Sequence, residues 1–184
     1  LGDLILSFSK LLNQEASHEP SGQYALNDEY YKRIAAIQFT MNHDDGNQVN
    51  EIEKSDIILI GVSRTSKTPT SIYLANRGYK TTNIPLIPEK DLPEKVLKSA
   101  EKTCTIGLIC DPTRLYDVRR NRVQSMREDR SVDYTNEKKI ILELNNSKKL
   151  FKKHNWPIID VTRKSVEETA ASIIKIFDIL KSNE

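Results

Sequence analysis

Four aliphatic residues in a row, Ile57-Ile58-Leu59-Ile60, stand between Asp56 and Gly61. A strand with one wet face alternates apolar and polar side chains. An unbroken run signals a strand covered on both faces, as in the middle of a parallel sheet. Such a sheet needs helical crossovers, and the downstream sequence supplies them. Helical spacing follows over 69–76, with Gly78 placed to close that helix. A second strand is expected over 80–87, marked off by Pro85 and Pro88, then a helix over 92–100 and a third strand over 104–110. A basic helix over 113–128, a longer one over 136–154 and a fourth strand over 157–161 come next. Ser165 opens the last helix, with Glu168 at capping-box spacing. The order β-α-β-α-β-α-α-β-α predicts an α/β fold, a mainly parallel sheet with helices on both faces.

Two helical stretches precede this pattern. Leu4, Ile5, Phe8, Leu11 and Leu12 share one face; Tyr30, Ile34, Ile37 and Met41 share another, after Asn27 as N-cap. A polar loop over 14–23 separates them, and Asn42-His43-Asp44-Asp45-Gly46 ends the second. The expected organisation is a helical lead-in over 1–50 and an α/β domain over 51–184.

Composition removes several function classes. Lys and Arg number 28 against 26 Asp and Glu, a formal net of +2, too even to mark a nucleic-acid binder. No apolar run approaches the roughly 18 residues of a membrane span. The first dozen residues lack the basic flank and cleavage site of a signal peptide. Cys104 and Cys110 are the only cysteines. They are too few for a zinc cage of about four ligands, and too far apart along a strand to bridge. They read as small buried hydrophobes in a reducing cytoplasm. The chain begins with Leu, far from Met41 and Met126, as expected of a truncated start.

The chemistry concentrates after the buried strand. Gly61-Val62-Ser63-Arg64-Thr65-Ser66-Lys67-Thr68 has the layout G-x-x-x-x-G-K-[ST] with Ser66 in place of the second Gly. Backbone N–H groups of such a loop and the positive end of the next helix form an anion site. Lys67 can reach terminal phosphates, Thr68 can ligate a metal, and Pro69 suits the first helical turn, where its missing N–H costs nothing. Ser66 is asked for a backbone angle that Gly adopts more freely. A P-loop kinase-like nucleotide site is the favoured reading; a plain polar turn with a chance Lys-Thr is the alternative.

The loop and Ser71-Ile72-Tyr73-Leu74-Ala75 together resemble the pyruvate, phosphate dikinase regulatory protein family, to which the phosphoenolpyruvate synthase regulatory protein is related. His43-Asp44-Asp45-Gly46, Asn83-Ile84-Pro85-Leu86, the stretch from Trp156 to Thr162 and Ser165-Val166-Glu167-Glu168-Thr169-Ala170 add to the resemblance, which runs from about Leu26 to the C-terminus. Ser at the place of Ser66 fits this family. The resemblance implies a bifunctional enzyme. One activity moves the β-phosphate of ADP onto a threonine of the dikinase, leaving AMP. The other uses inorganic phosphate to remove it as pyrophosphate. It also implies an N-terminal segment ahead of the lead-in. The client is the dikinase or the synthase; the sequence does not choose, and oligomeric state, a homodimer included, stays open.

On that resemblance, Gly61, Val62, Ser63, Arg64, Thr65, Ser66, Lys67 and Thr68 form the ADP-binding segment. Lys67 neutralises phosphate charge, as phosphoryl transfer requires, and Thr68 is the expected ligand of Mg2+. Arg64 is a phosphate contact or a solvated loop residue. His43, Asp44 and Asp45 are candidates for general-base and metal chemistry, or for a helix-ending turn; their roles cannot be divided from the residues alone. Asp111 with Pro112 reads more as an N-cap than as a magnesium ligand. Arg114, Arg119, Arg120, Arg122, Arg127 and Arg130 form a mostly solvated basic face, with Arg119 or Arg122 suspected of function. Glu167 and Glu168 suit a helix start, His18 and His154 read as surface residues, and Trp156 as packing. The rival functions are an ATP-dependent small-molecule kinase and a nucleotide-sensing module that acts by contact alone.

Overall fold

The computed structural model describes residues 2–15, 27–46, 49–126 and 132–182. Its elements follow the predicted order: α1 (Gly2–Leu12), α2 (Asp28–Asn42), short 3-10 turns at Asp44–Gly46 and Val49–Lys54, β1 (Ile57–Val62), α3 (Lys67–Asn76), β2 (Thr81–Leu86), α4 (Glu94–Ala100), β3 (Cys104–Ile109), α5 (Pro112–Met126), a 3-10 turn at Val132–Thr135, α6 (Glu137–Lys153), β4 (Ile158–Asp160) and α7 (Val166–Lys181). Arg127, Arg130, His18, the end of the predicted basic helix and most of the 14–23 loop lie outside the described residues.

The four strands form one parallel sheet in the order β2-β1-β3-β4. β1 is central and buried along its whole length, which is why its sequence is apolar at every position. Its side chains divide by parity. Ile57 and Leu59 join Leu74 of α3, Ile173 and Phe177 of α7, and Leu115 of α5 on one face. Ile58 and Ile60 join Ile52, Val96 of α4 and Trp156 on the other. α6 serves both, with Ile140 and Leu144 on the first side and Phe151 on the second. Gly107 of β3 is needed there, because a Cβ at that position would run into the Phe151 ring.

Local signals set the helix ends. The Asn27 side chain accepts the Tyr30 N–H, Asn136 accepts from Lys138 and Lys139, and Ser165 and Glu168 close a reciprocal capping box. Gly78 sits at φ 91° beyond α3; its N–H and that of Tyr79 donate to Ala75 and Leu74, the paired bonds of a Schellman motif. Asp111 caps α5, its carboxylate accepting from Thr113 and Arg114.

The edge strand β2 is managed residue by residue. Its outward positions are Thr81, Asn83 and Pro85. The Thr81 N–H donates to the Thr40 hydroxyl at 3.0 Å and the Asn83 N–H to the His43 carbonyl at 3.1 Å; Pro85 has no N–H to satisfy. The C-terminal end of α2 thus covers the open edge and carries His43, Asp44 and Asp45 to the sheet.

Candidate functional site

The loop 61–68 begins within the end of β1, where Gly61 still pairs with Pro85 and Leu108 and Val62 with Leu86 alone. At Gly61 a Cβ would lie 2.7 Å from the Leu108 carbonyl oxygen and 2.8 Å from the Thr65 hydroxyl, so this start of the loop admits no side chain. The turn is drawn tight by the Val62 carbonyl, which accepts from the Thr65 hydroxyl and from the Lys67 ammonium, each at 2.9 Å. Ser66 has φ 57°, the left-handed conformation anticipated for it, and Arg64 has φ 73°; alternating left-handed residues turn successive N–H groups towards one hollow. α3 starts at Lys67, two residues before Pro69, which falls inside the first turn.

Lys67 is 5 % exposed. Burial pushes its ammonium down from 10.5 to about 8, against the upward pull of Asp45 and Asp44. It is a charged group held in a dry place, ready for an anion. The Thr68 hydroxyl donates to the Asp44 carboxylate at 3.1 Å and accepts from the Asn83 carboxamide at 3.0 Å. Asn83 also donates to Asp44 and, at 3.5 Å, to Asp45. Asp45 holds φ 52° and is exposed.

Of the residues singled out by sequence, Lys67, Thr68, Asp44 and Asp45 therefore come together, although the aspartates precede the loop by more than fifteen positions. His43 stands slightly apart. Its ring is buried, stacks on Phe39 at 3.9 Å and bonds the Phe39 carbonyl through Nδ1 at 2.7 Å. Its Nε2 is buried without a hydrogen-bond partner among the described residues. Arg64 is exposed on the loop and bears on the Tyr134 phenol. Burial alone would raise that phenol, but hydrogen bonds with Ser63 and Arg64 and the charges of Arg119 and Arg64 together hold it below its ordinary value.

Arg119, suspected of function from sequence, turns inward. It is 1 % exposed and pairs with Glu143 at 2.7 Å. It also donates to the Ser63 and Tyr134 carbonyls and lies 4.7 Å from the Tyr134 ring centre. It braces the loop from below. Arg122 keeps a buried Nε with no partner among the described residues, while Arg114 and Arg120 are exposed as expected. Glu167 and Glu168 are exposed at the start of α7. His154 differs from the sequence reading: it stacks on buried Trp156 at 4.7 Å. Cys104 and Cys110 are free and belong to one face of the core. Burial pushes both thiols up to about 11, the state of inert structural cysteines.

Sequence reasoning gave no role to Glu143, to Tyr134 or to Asn83, which entered only within the stretch Asn83-Ile84-Pro85-Leu86. Asn83 was open to detection as an amide in a strand of Thr and aliphatic residues. Glu143 had no such signal, being one charge among many on α6.

Beside the loop lies a cavity of about 720 Å³ bounded by Val62, Leu86, Tyr134, Glu143 and the 87–91 segment. It opens at the carboxyl ends of β1 and β2, one strand over from the β1–β3 boundary, where the order β2-β1-β3-β4 reverses and open α/β sheets hold their ligands. The Thr68 hydroxyl and Asp44 carboxylate are hard oxygen donors of the kind Mg2+ takes, one or two at a time, with phosphate oxygens and water completing its shell. The Asn83 carboxamide joins them through its N–H groups, while its carbonyl oxygen is buried with no partner among the described residues. Among the described residues no helix is long and apolar enough to cross a membrane.

Comparison with known proteins gives the family. The family model described as kinase/pyrophosphorylase matches residues 1–174. A protein of Pelagibacter ubique named pyruvate, phosphate dikinase regulatory protein is 63% identical over 183 residues, covering 100% of this chain and 67% of its own length. Proteins of the same name from Sphingopyxis alaskensis and a Wolbachia strain are each 46% identical, over 94% and 97% of this chain and 63% and 65% of theirs. The chain thus spans about two thirds of the length of these relatives. With a family model running over nearly all of its residues, phosphate loop and acidic turn included, the chain belongs to the kinase/pyrophosphorylase family.

Proposed function

We propose that this chain carries the phosphoryl-transfer site of a regulator of pyruvate, phosphate dikinase. In one direction it transfers the β-phosphate of ADP to a dikinase threonine; in the other, inorganic phosphate removes that group as pyrophosphate. The observation that carries the proposal is the convergence of Lys67 and Thr68, at the start of α3, with Asp44 and Asp45 from the end of α2. The names of the relatives support the choice of client; phosphoenolpyruvate synthase is the alternative.

The chemistry follows from the residues. Loop N–H groups and the α3 dipole hold the diphosphate. Lys67 exchanges its bond to the Val62 carbonyl for a phosphate oxygen, and its charge compensates the negative charge that spreads over the transferring group. Arg64, exposed on the same loop, offers a second cation to an incoming or transferred phosphate. Thr68 and Asp44 would hold Mg2+, which would supply further charge neutralisation. In the kinase direction the threonine oxygen attacks the β-phosphorus, the bond to the bridging oxygen breaks with AMP leaving, and Asp45 accepts the hydroxyl proton. In the opposing reaction, which is not the reversal of the first, a phosphate oxygen attacks the phosphothreonine phosphorus and the bond to the threonine oxygen breaks. Pyrophosphate forms, and the threonine oxygen regains a proton. The two free, inert thiols suit a cytoplasmic setting.

Incubation with β-labelled ADP and the dikinase tests this. Labelled phosphothreonine with AMP as co-product, lost in Lys67→Ala, is the expected result. Transfer only from ATP to a small metabolite, partner inhibition without transfer, or label unaffected by Lys67→Ala would overturn it.

A further inference from the structure

Asn83 is fully buried on the edge strand β2. Burying an amide costs free energy unless its bonds are replaced, and its carbonyl oxygen has no partner among the described residues. A valine would fill the strand position without that cost. The backbone does not need the side chain either, since the Asn83 N–H alone holds the His43 carbonyl at 3.1 Å. What the carboxamide does bind is the site: the Thr68 hydroxyl at 3.0 Å, the Asp44 carboxylate, and Asp45 at the 3.5 Å limit.

Two N–H protons of one rigid group thus reach two oxygens from separate segments, the phosphate loop and the acidic turn. The Thr68 hydroxyl accepts from Asn83 and donates to Asp44, so its rotor is set as well. We propose that Asn83 is a positioning residue that fixes the Asp44 carboxylate and the Thr68 hydroxyl at the spacing one divalent cation and its phosphate ligand require. This rests on the nucleotide reading of the loop. An aspartate here would place a third carboxylate beside Asp44 and Asp45, and an aliphatic side chain would leave both oxygens unheld.

The test is ADP binding by titration calorimetry, with Mg2+ and with chelator, on the wild-type chain, Asn83→Ala and Asn83→Asp, each with its melting temperature. Outer partners of metal ligands are worth about ten- to a hundredfold in metal affinity. Asn83→Ala should therefore lose about tenfold or more in affinity for ADP with Mg2+, while affinity in chelator stays within about twofold. Asn83→Asp, which keeps the shape of the side chain and remains informative should the alanine variant not fold, should weaken binding in chelator and make the Mg2+ dependence steeper. Parallel losses with and without Mg2+ that track a lowered melting temperature would reduce Asn83 to a structural role and overturn the inference. So would unchanged affinity in both variants. A wild-type chain that binds no ADP in Mg2+ overturns the nucleotide reading itself, and this inference with it.

Discussion

Replacing Lys67 by Met should make the protein more stable at neutral pH while removing the cation proposed to meet the phosphates. The folded Lys67 ammonium releases its proton near pH 8 because it is buried; an exposed lysine does so near 10.5. Between those values the unfolded chain binds the extra proton, so stability rises with pH across that window. Below about pH 8 both states are charged and the folded one carries the whole penalty. At 1.36 kcal/mol per pH unit, the gap from 10.5 to about 8 is worth about 3 kcal/mol. Met has similar length and no charge. It gives up the bond to the Val62 carbonyl, about 1 kcal/mol, but that oxygen keeps the Thr65 hydroxyl at 2.9 Å. The expected net gain at pH 7 is about 2 kcal/mol; it falls through zero as pH rises from 8 to 10.5 and the wild type sheds its proton, and ends as a deficit of about 1 kcal/mol, the lost hydrogen bond. Urea unfolding followed by the single tryptophan, Trp156, buried near Phe151, measures it, and the wild-type–variant difference cancels every other titrating group. A Lys67→Met variant less stable at pH 7, or a difference that does not change with pH, would refute the reasoning.

Gly61→Ala places a methyl 2.7 Å from the Leu108 carbonyl, which is backbone and cannot swing aside; a loss of about 1–3 kcal/mol in thermal unfolding is expected, with ADP affinity falling as the loop shifts. Glu143→Ala strands the Arg119 cation at 1 % exposure and should cost about 3–5 kcal/mol, whereas the joint replacement Arg119→Met with Glu143→Leu should cost far less, as denaturant midpoints would show. Ser66→Gly relieves a left-handed φ of 57°. Part of that gain is lost to the freer unfolded chain, so a rise of about 0.5–1 kcal/mol is expected in the same measurement.

The elements with local signals were the legible ones. β1 announced itself through Ile57–Ile60, since only a strand buried on both faces is apolar at every position. α7 did so through Ser165 and Glu168, whose cap closes within one turn. The loop 61–68 was readable because one short segment both makes the turn and starts the helix. Boundaries moved by a residue or two: α3 begins at Lys67 rather than Pro69, since Pro is welcome anywhere in a first turn and marks no unique position. His154 was taken for a surface residue because the stacking on Trp156 comes from the bend after α6, which periodicity does not describe.

The site divides along the same line. Its loop half is contiguous, so the chain's own order of residues determined it: strand, Gly61, four loop residues, Ser66, Lys67 and Thr68. The other half is long-range. Asp44 meets Thr68 only because β2 is the edge strand, its outward N–H groups capture the end of α2, and Asn83 sits where that turn passes α3. Arg119 became a brace under the loop because α6 brings Glu143 across 24 positions to neutralise it. Hydrogen bonds and ion pairs act over about 3 Å of space whatever the sequence separation. Tertiary packing therefore decided which carboxylates stand beside the loop and which arginine braces it.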